Sequence, residues 1–165
     1  MIDNVLLVIM GMQNDFITGV RGTKDAQSIV SSVIEKAKNY KKTLYTMDTY
    51  HYDYRSTQDG QDFPTPHCVK NAYGYEIIDG LKNLSDTKFL LYKHTFGSAQ
   101  LGEFVRQNFE LGTINEVELV GAYAETDVVS NALTIKAFCP EIKITVDSAC
   151  CAGTDRKSTR LNSSH

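Results

Sequence analysis

The chain has 165 residues, 42% hydrophobic and 22% charged, with a formal net charge of −3. That length suits one domain with a real core and is short for two, and the composition is that of a globular protein. The charge argues against a nucleic-acid or anionic-membrane partner, and no apolar run approaches the length of a membrane span.

Residues 4–10, NVLLVIM, form an almost continuous apolar run, the pattern of a central strand. The following GMQNDFITG is a loop at its carboxyl end. Residues 25–40 have helical spacing, with Ala26, Ile29, Val30, Val33, Ile34 and Ala37 on one face. Residues 43–47 alternate as a second strand. Residues 48–74 keep no period and hold four of the nine tyrosines and two of the three prolines, which reads as a functional loop. A short helix is expected over 75–82 and a third strand over 88–92. Ser98 is a good cap for a helix over 101–109. A fourth strand, 117–120, is apolar except for Glu118, and a helix follows Gly121. The fifth strand is 142–146. Alternating strands and helices predict an α/β fold with a doubly wound parallel sheet, and no internal repeat or domain boundary interrupts it.

In such a sheet the loop between the fourth strand and its helix opens at the carboxyl edge, where ligands bind. Residues 123–127 face that crevice. Cys68, Cys139, Cys150 and Cys151 show no framework spacing, so reduced thiols in a cytoplasmic protein are expected. The N–D pair in the first loop has a bland explanation as a self-capping turn.

The segment VGAYAETDVVSNALTIKAFCPEIKITVDSACCAGT resembles the second half of the isochorismatase-like cysteine hydrolases, the superfamily that includes nicotinamidases. The resemblance runs from Val5 to Thr154. It implies a five-strand order of 3-2-1-4-5 with a sixth strand missing, and an ancestral hydrolysis of C–N bonds in small amides such as nicotinamide. That chemistry needs a thiolate, a base and donors for an oxyanion. In the family motif V-x-D-M-Q-N-D-F the leading Asp is the base; this chain reads VIMGMQNDF, with Gly11 at that position. Asp15, four residues on, points elsewhere. YKHTFGS matches the segment carrying the family's catalytic lysine and places it at Lys93. Where the family has C-T-D-x-C, this chain has Tyr123, Ala124, Glu125, Thr126 and Asp127, so Asp127 stands at the nucleophile's position. The backbone N–H groups of Tyr123 and Asp127 correspond to the oxyanion donors, and Phe16 to a pocket wall. The other cysteines read as packing residues.

The D-x-H…P-H-C metal region is kept at Asp48 and His67, but Tyr50 replaces a ligand histidine. No cofactor is expected beyond weak binding of zinc or another divalent metal by that remnant. With base, nucleophile and metal ligand replaced together, the expectation is a hydrolase-family chain without its catalysis. The alternatives are a small-molecule binding or protein-interaction role, or a truncated copy with no function of its own. The expected partner is a small amide-like molecule, with a homo-oligomer left open. Residues 1–154 form the expected domain. Residues 155–165, DRKSTRLNSSH, resemble a translated sequencing adapter and are expected to be non-native.

Overall fold

The computed structural model of the chain describes residues 1–51, 56, 58, 61, 66–84, 87–93 and 97–153. The expected tail, 155–165, lies outside the described residues, as does part of the long loop over 48–74. Five parallel strands, β1 (Ile2–Met10), β2 (Tyr40–Asp48), β3 (Thr87–Lys93), β4 (Glu116–Gly121) and β5 (Lys143–Cys151), form one sheet in the order β3-β2-β1-β4-β5. The helices are α1 (Asn14–Ile17), α2 (Lys24–Ser28), α3 (Val30–Ala37), α4 (Asp79–Lys82), α5 (Ala99–Glu110) and α6 (Val129–Phe138). A single π turn, Ala124–Val128, leads into α6.

The apolar run of β1 is continuous because both of its faces are covered. Val5, Leu7 and Ile9 enter a core completed by Ile29, Val33, Ala37 and Tyr45. Leu6, Val8 and Met10 enter a second core with Leu44, Leu101, Val105, Leu119 and Ile135. The two-residue period of the strand sends alternate side chains to opposite faces. Ser98 caps α5, its hydroxyl accepting from the Leu101 N–H at 3.2 Å. Among the described residues no helix is long and apolar enough to cross a membrane.

Three expected boundaries move. The helix expected over 25–40 is two helices that bend at Ile29. The Ser28 hydroxyl donates to the Asp25 carbonyl at 2.7 Å, a local bond of the kind that competes with a helical ladder. Ala26, Ile29, Val33 and Ala37 still share one buried face, so the periodicity carries across the bend. The fifth strand extends beyond 146, and Cys150 and Cys151 lie at its end rather than after it. A register irregularity between Leu119 and Gly121 lets β5 stay paired with β4 through residues that lack an apolar alternation. The expected helix over 75–82 is a 3-10 turn, Tyr73–Tyr75, followed by the four-residue α4.

Glu118 is the polar interruption of β4, and it is 8% exposed. Lys36 of α3 pairs with its carboxylate, and the Tyr40 hydroxyl donates to it. Lys36 also reaches Asp147 of β5 at 2.9 Å. Burial opposes the Lys36 charge, yet the two carboxylates together raise its pKa. Burial, and then Glu118, push the Tyr40 phenol up to about 12. This network ties α3 to β4 and β5. Replacing Lys36 with Met should leave the buried Glu118 charge without its ammonium. We expect a loss of about 2–4 kcal/mol in urea unfolding with an unchanged slope. A change within about 0.5 kcal/mol would show that the pair carries no net stability.

Candidate functional site

Strand ends converge on the site. Asp48 is the last residue of β2 and Lys93 the last of β3, and the two are direct cross-strand partners. β1 ends at Met10, paired with Gly121 at the end of β4. A Cβ on Gly121 would come within 2.2 Å of the Met10 carbonyl oxygen, so only glycine lets the strands approach there. The chain then turns through Tyr123 into the π turn, which directs Asp127 back over the sheet.

Lys93 is 4% exposed, yet its ammonium is charged between two carboxylates. Nζ lies 2.6 Å from Asp48 Oδ1 and 3.3 Å from Asp127 Oδ2. Burial pulls the lysine down, but the two acids outweigh it and the pKa is raised. Asp127 moves the other way from an ordinary carboxylate. Burial first, then the charge of Asp48, push it up to about 7 against the pull of Lys93. Two buried acids sharing one ammonium carry one negative charge too many, and a proton on Asp127 removes it.

The backbone of the nucleophile loop is engaged in its own turn. The N–H groups of Asp127 and Val128 both donate to the Tyr123 carbonyl, at 2.8 and 3.3 Å. Of the expected oxyanion pair, Tyr123 and Asp127, the Asp127 N–H donates within its own turn. The Asp127 bond spans four residues, as in an α-helix, and the Val128 bond spans five, the spacing that makes this a π turn. Asn131, fully buried, fixes this turn. Its Nδ2 donates to the Asp127 carbonyl at 2.7 Å, and its Oδ1 accepts from the Ser98 N–H at 3.0 Å.

Gly11 adopts φ +66° at the base position. A Cβ built there would lie 3.5 Å from Phe16 Cδ2 and 3.7 Å from Asp127 Oδ2. Space for a side chain exists, but the backbone conformation disfavours one. Phe16 is buried and meets the Tyr123 ring edge-on at 4.7 Å between centroids. His67 lies 5.6 Å from the Phe16 ring and 5.1 Å from the Tyr50 ring. Phe16, Tyr123, His67 and Tyr50 thus form one aromatic wall.

The metal remnant does not fit a divalent ion. The Asp48 carboxylate is held by Lys93, whose ammonium competes directly with a cation for the same oxygen. Among the described residues, no group of three or more His, Cys, Asp or Glu could hold a metal. The thiols are also set against nucleophilic use. Burial, then the negative charges of Asp48 and Asp15, push Cys68 above its ordinary range. Burial raises Cys150 to about 11 and Cys151 to about 12.

The Q-N-D stretch braces the loops around the site. Gln13 Nε2 donates to the carbonyls of Asp48 at 2.9 Å and Tyr75 at 2.8 Å, while its Oε1 accepts from the Asp48 N–H at 2.9 Å. Asn14 Nδ2 donates to the Tyr73 carbonyl, and Asp15 Oδ2 accepts from the Cys68 N–H at 2.7 Å. Sequence reasoning matched these residues without assigning them this work. The signal for the Asp48–Lys93 contact was also available, since both end adjacent strands.

A parallel sheet with helices on both faces and a charged cluster at its strand ends defines the class as a three-layer α/β fold. The isochorismatase domain family matches residues 5–163, and the chain belongs to that family. An isochorismatase-like hydrolase from Alkaliphilus metalliredigens is similar at a TM-score of 0.79 and 16% identity, covering 98% of this chain and 89% of that one. The nicotinamidase/pyrazinamidase of Acinetobacter baumanii aligns at 0.78 and 18%, covering 97% and 89%. N-carbamoylsarcosine amidase from Thermoplasma acidophilum aligns at 0.75 and 23%, covering 96% and 89%. At these identities the likeness is one of fold. No curated protein matches the chain.

Two outcomes follow from the geometry. Asp127 binds its proton more tightly folded than unfolded, so its contribution to stability is present below about pH 4 and is lost as pH rises through about 7. Asp127→Asn removes that loss. Its melting temperature relative to the unaltered chain should therefore rise between pH 5 and pH 8, and a constant difference would contradict the burial of the charge. Gln13→Ala should cost about 2–3 kcal/mol, because it leaves three buried backbone groups at Asp48 and Tyr75 without partners. Chemical unfolding that finds a cost below about 0.5 kcal/mol would remove Gln13 from this role.

Proposed function

We propose that this member of the isochorismatase hydrolase family has lost amide hydrolysis and keeps its strand-end site as a pocket for a small molecule. The observation that supports this most is the pairing of Asp127 with Lys93 at 3.3 Å, in place of a thiolate. Attack on an amide needs a group that is nucleophilic when its proton leaves. The Asp127 carboxylate is a poor nucleophile toward an amide carbon, and its pairing with Lys93 lowers its reactivity further. Gly11 offers no proton acceptor. A developing oxyanion beside Asp127 would meet like charge, and the Asp127 N–H is already bonded. Loss of a nucleophile alone costs roughly 10⁴–10⁶ in rate for a hydrolytic triad.

The binding reading is supported by the aromatic side chains Phe16, Tyr123 and His67 and by the buried charge of Lys93, which the chain keeps at the strand ends.

Ammonia release from nicotinamide should stay at the uncatalysed level, and Asp127→Cys alone should not raise it, because no base stands at Gly11. Turnover by the unaltered chain that disappears in Asp127→Asn would overturn this reading. Restoring the base is itself hindered: Gly11→Asp should cost roughly 1–2 kcal/mol, since an L-residue must enter a left-handed conformation there. Thermal melts of that variant check the cost, and an unchanged midpoint would mean that the backbone relaxes freely.

A further inference from the structure

We propose that the outer edge of β3 is a self-association surface, where two copies of this chain pair their β3 strands antiparallel about a two-fold axis at Leu90. The inference is independent of what the strand-end site binds.

The backbone of β3 sets the geometry. Among the described residues β3 is an outer strand of the sheet and pairs with β2 alone. The Thr49 N–H donates to the Lys93 carbonyl at 2.9 Å, so the main-chain groups of Lys93 point toward β2. Direction alternates along a strand. Those of Leu91 and Phe89 therefore also point inward, and those of Lys88, Leu90 and Tyr92 point out of the sheet. In an antiparallel ladder, hydrogen-bonded pairs form between residues whose main-chain groups point at each other. With Leu90 opposite Leu90 of a second copy, Lys88 falls opposite Tyr92, and all three outward residues find partners. A slip by one residue would set outward groups against inward ones and lose the bonds.

The side chains agree with that register. Leu90 is 47% and Tyr92 51% exposed, on a strand whose intervening Leu91 is buried. An exposed apolar edge of this kind is a template for another strand. Tyr92 is already fixed by stacking on Tyr75, with 6.4 Å between centroids and 15° between planes. Its exposed side would meet Lys88 of the second copy, so a cation faces a ring and no like charges are opposed. Along the same edge, Gln100, Glu103, Phe104 and Gln107 of α5 line an open groove of about 550 Å³ together with Leu90 and Tyr92. Its charges are settled within the helix. Arg106 pairs with Glu103 and Glu110, and Gln107 donates to Glu103. A groove neutralised in this way does not select a charged peptide. It accepts the equally neutral edge of a second copy.

Sedimentation velocity of the full chain at micromolar concentrations should show a species of twice the 18.4 kDa chain mass. Leu90→Lys sets two ammonium groups against each other at the axis and should weaken the dimer at least about tenfold. Leu90→Cys tests the register. Across the axis the two Cα atoms should stand about 5.5 Å apart, within reach of a disulfide. This variant should cross-link under mild oxidation. Lys88→Cys, which faces Tyr92 rather than its own copy, should not, and the four native cysteines are buried. The cross-link decides the matter by itself if Leu90→Lys fails to fold. A dimer untouched by Leu90→Lys, or cross-linking of Lys88→Cys as readily as Leu90→Cys, would overturn the pairing. A monomer at every concentration would overturn it too and would leave the edge to an extended peptide.

Discussion

One buried ammonium holds the functional end of this molecule together. Lys93 sits between Asp48 at 2.6 Å and Asp127 at 3.3 Å, and each comes from a different part of the chain. β2 and β3 supply the first pair in direct register, and the turn after β4 supplies the third member. Buried charges of this kind add little stability over an apolar core. Removing one partner, however, leaves another uncompensated, at a cost of several kcal/mol. The cluster therefore constrains geometry more than it contributes energy. It requires three strand ends to stop at the same level and the π turn to point inward.

The surrounding structure meets that requirement with neutral hydrogen bonds. Gln13 grips the Asp48 backbone from both sides, so the end of β2 cannot drift away from the first loop. Asn131 does the same for Asp127, tying its carbonyl to the head of α6 and the start of α5. Asp15 binds the Cys68 N–H and thereby positions the neighbouring His67 against Phe16. These side chains work on backbone groups, which cannot be removed by substitution. Bracing of this type survives a change of chemistry at the centre. It explains how the family's frame can persist around Gly11 and Asp127.

On the opposite side of β4, Glu118 plays a separate part. Its carboxylate collects Lys36 and the Tyr40 hydroxyl beneath α3, and Asp147 of β5 joins through the same lysine. A lone polar residue in an apolar strand thus marks where a helix is locked to the sheet. Both clusters hold two acids and one base: here the Tyr40 phenol donates to Glu118, and at the strand ends the Thr126 side chain bonds to Asp127. The excess shows in Asp127, raised to about 7 chiefly by burial.

Much of the architecture was legible in the amino-acid sequence. Continuous apolar runs located the central strands because parallel strands are covered on both faces, alternation of strand and helix indicated a parallel sheet, and the order of its strands followed from the family resemblance. Gly11, Lys93 and Asp127 could be placed at one crevice because each ends a strand or begins the segment after one. Other features required the folded chain. The bend at Ile29 leaves the periodic face intact, so no pattern of residues marks it. The extension of β5 to Cys151 depends on a register shift against β4, which is a property of two strands together. Asp48, read along the chain, belongs with His67 in the metal region; strand register in addition sets it directly opposite Lys93 as an ion-pair partner. The left-handed backbone at Gly11 and the π turn at Asp127 were equally invisible, because both are set by where neighbouring segments oblige the chain to go. Residue types determined which groups could meet, and tertiary packing decided which charges share a site and how much solvent they lose.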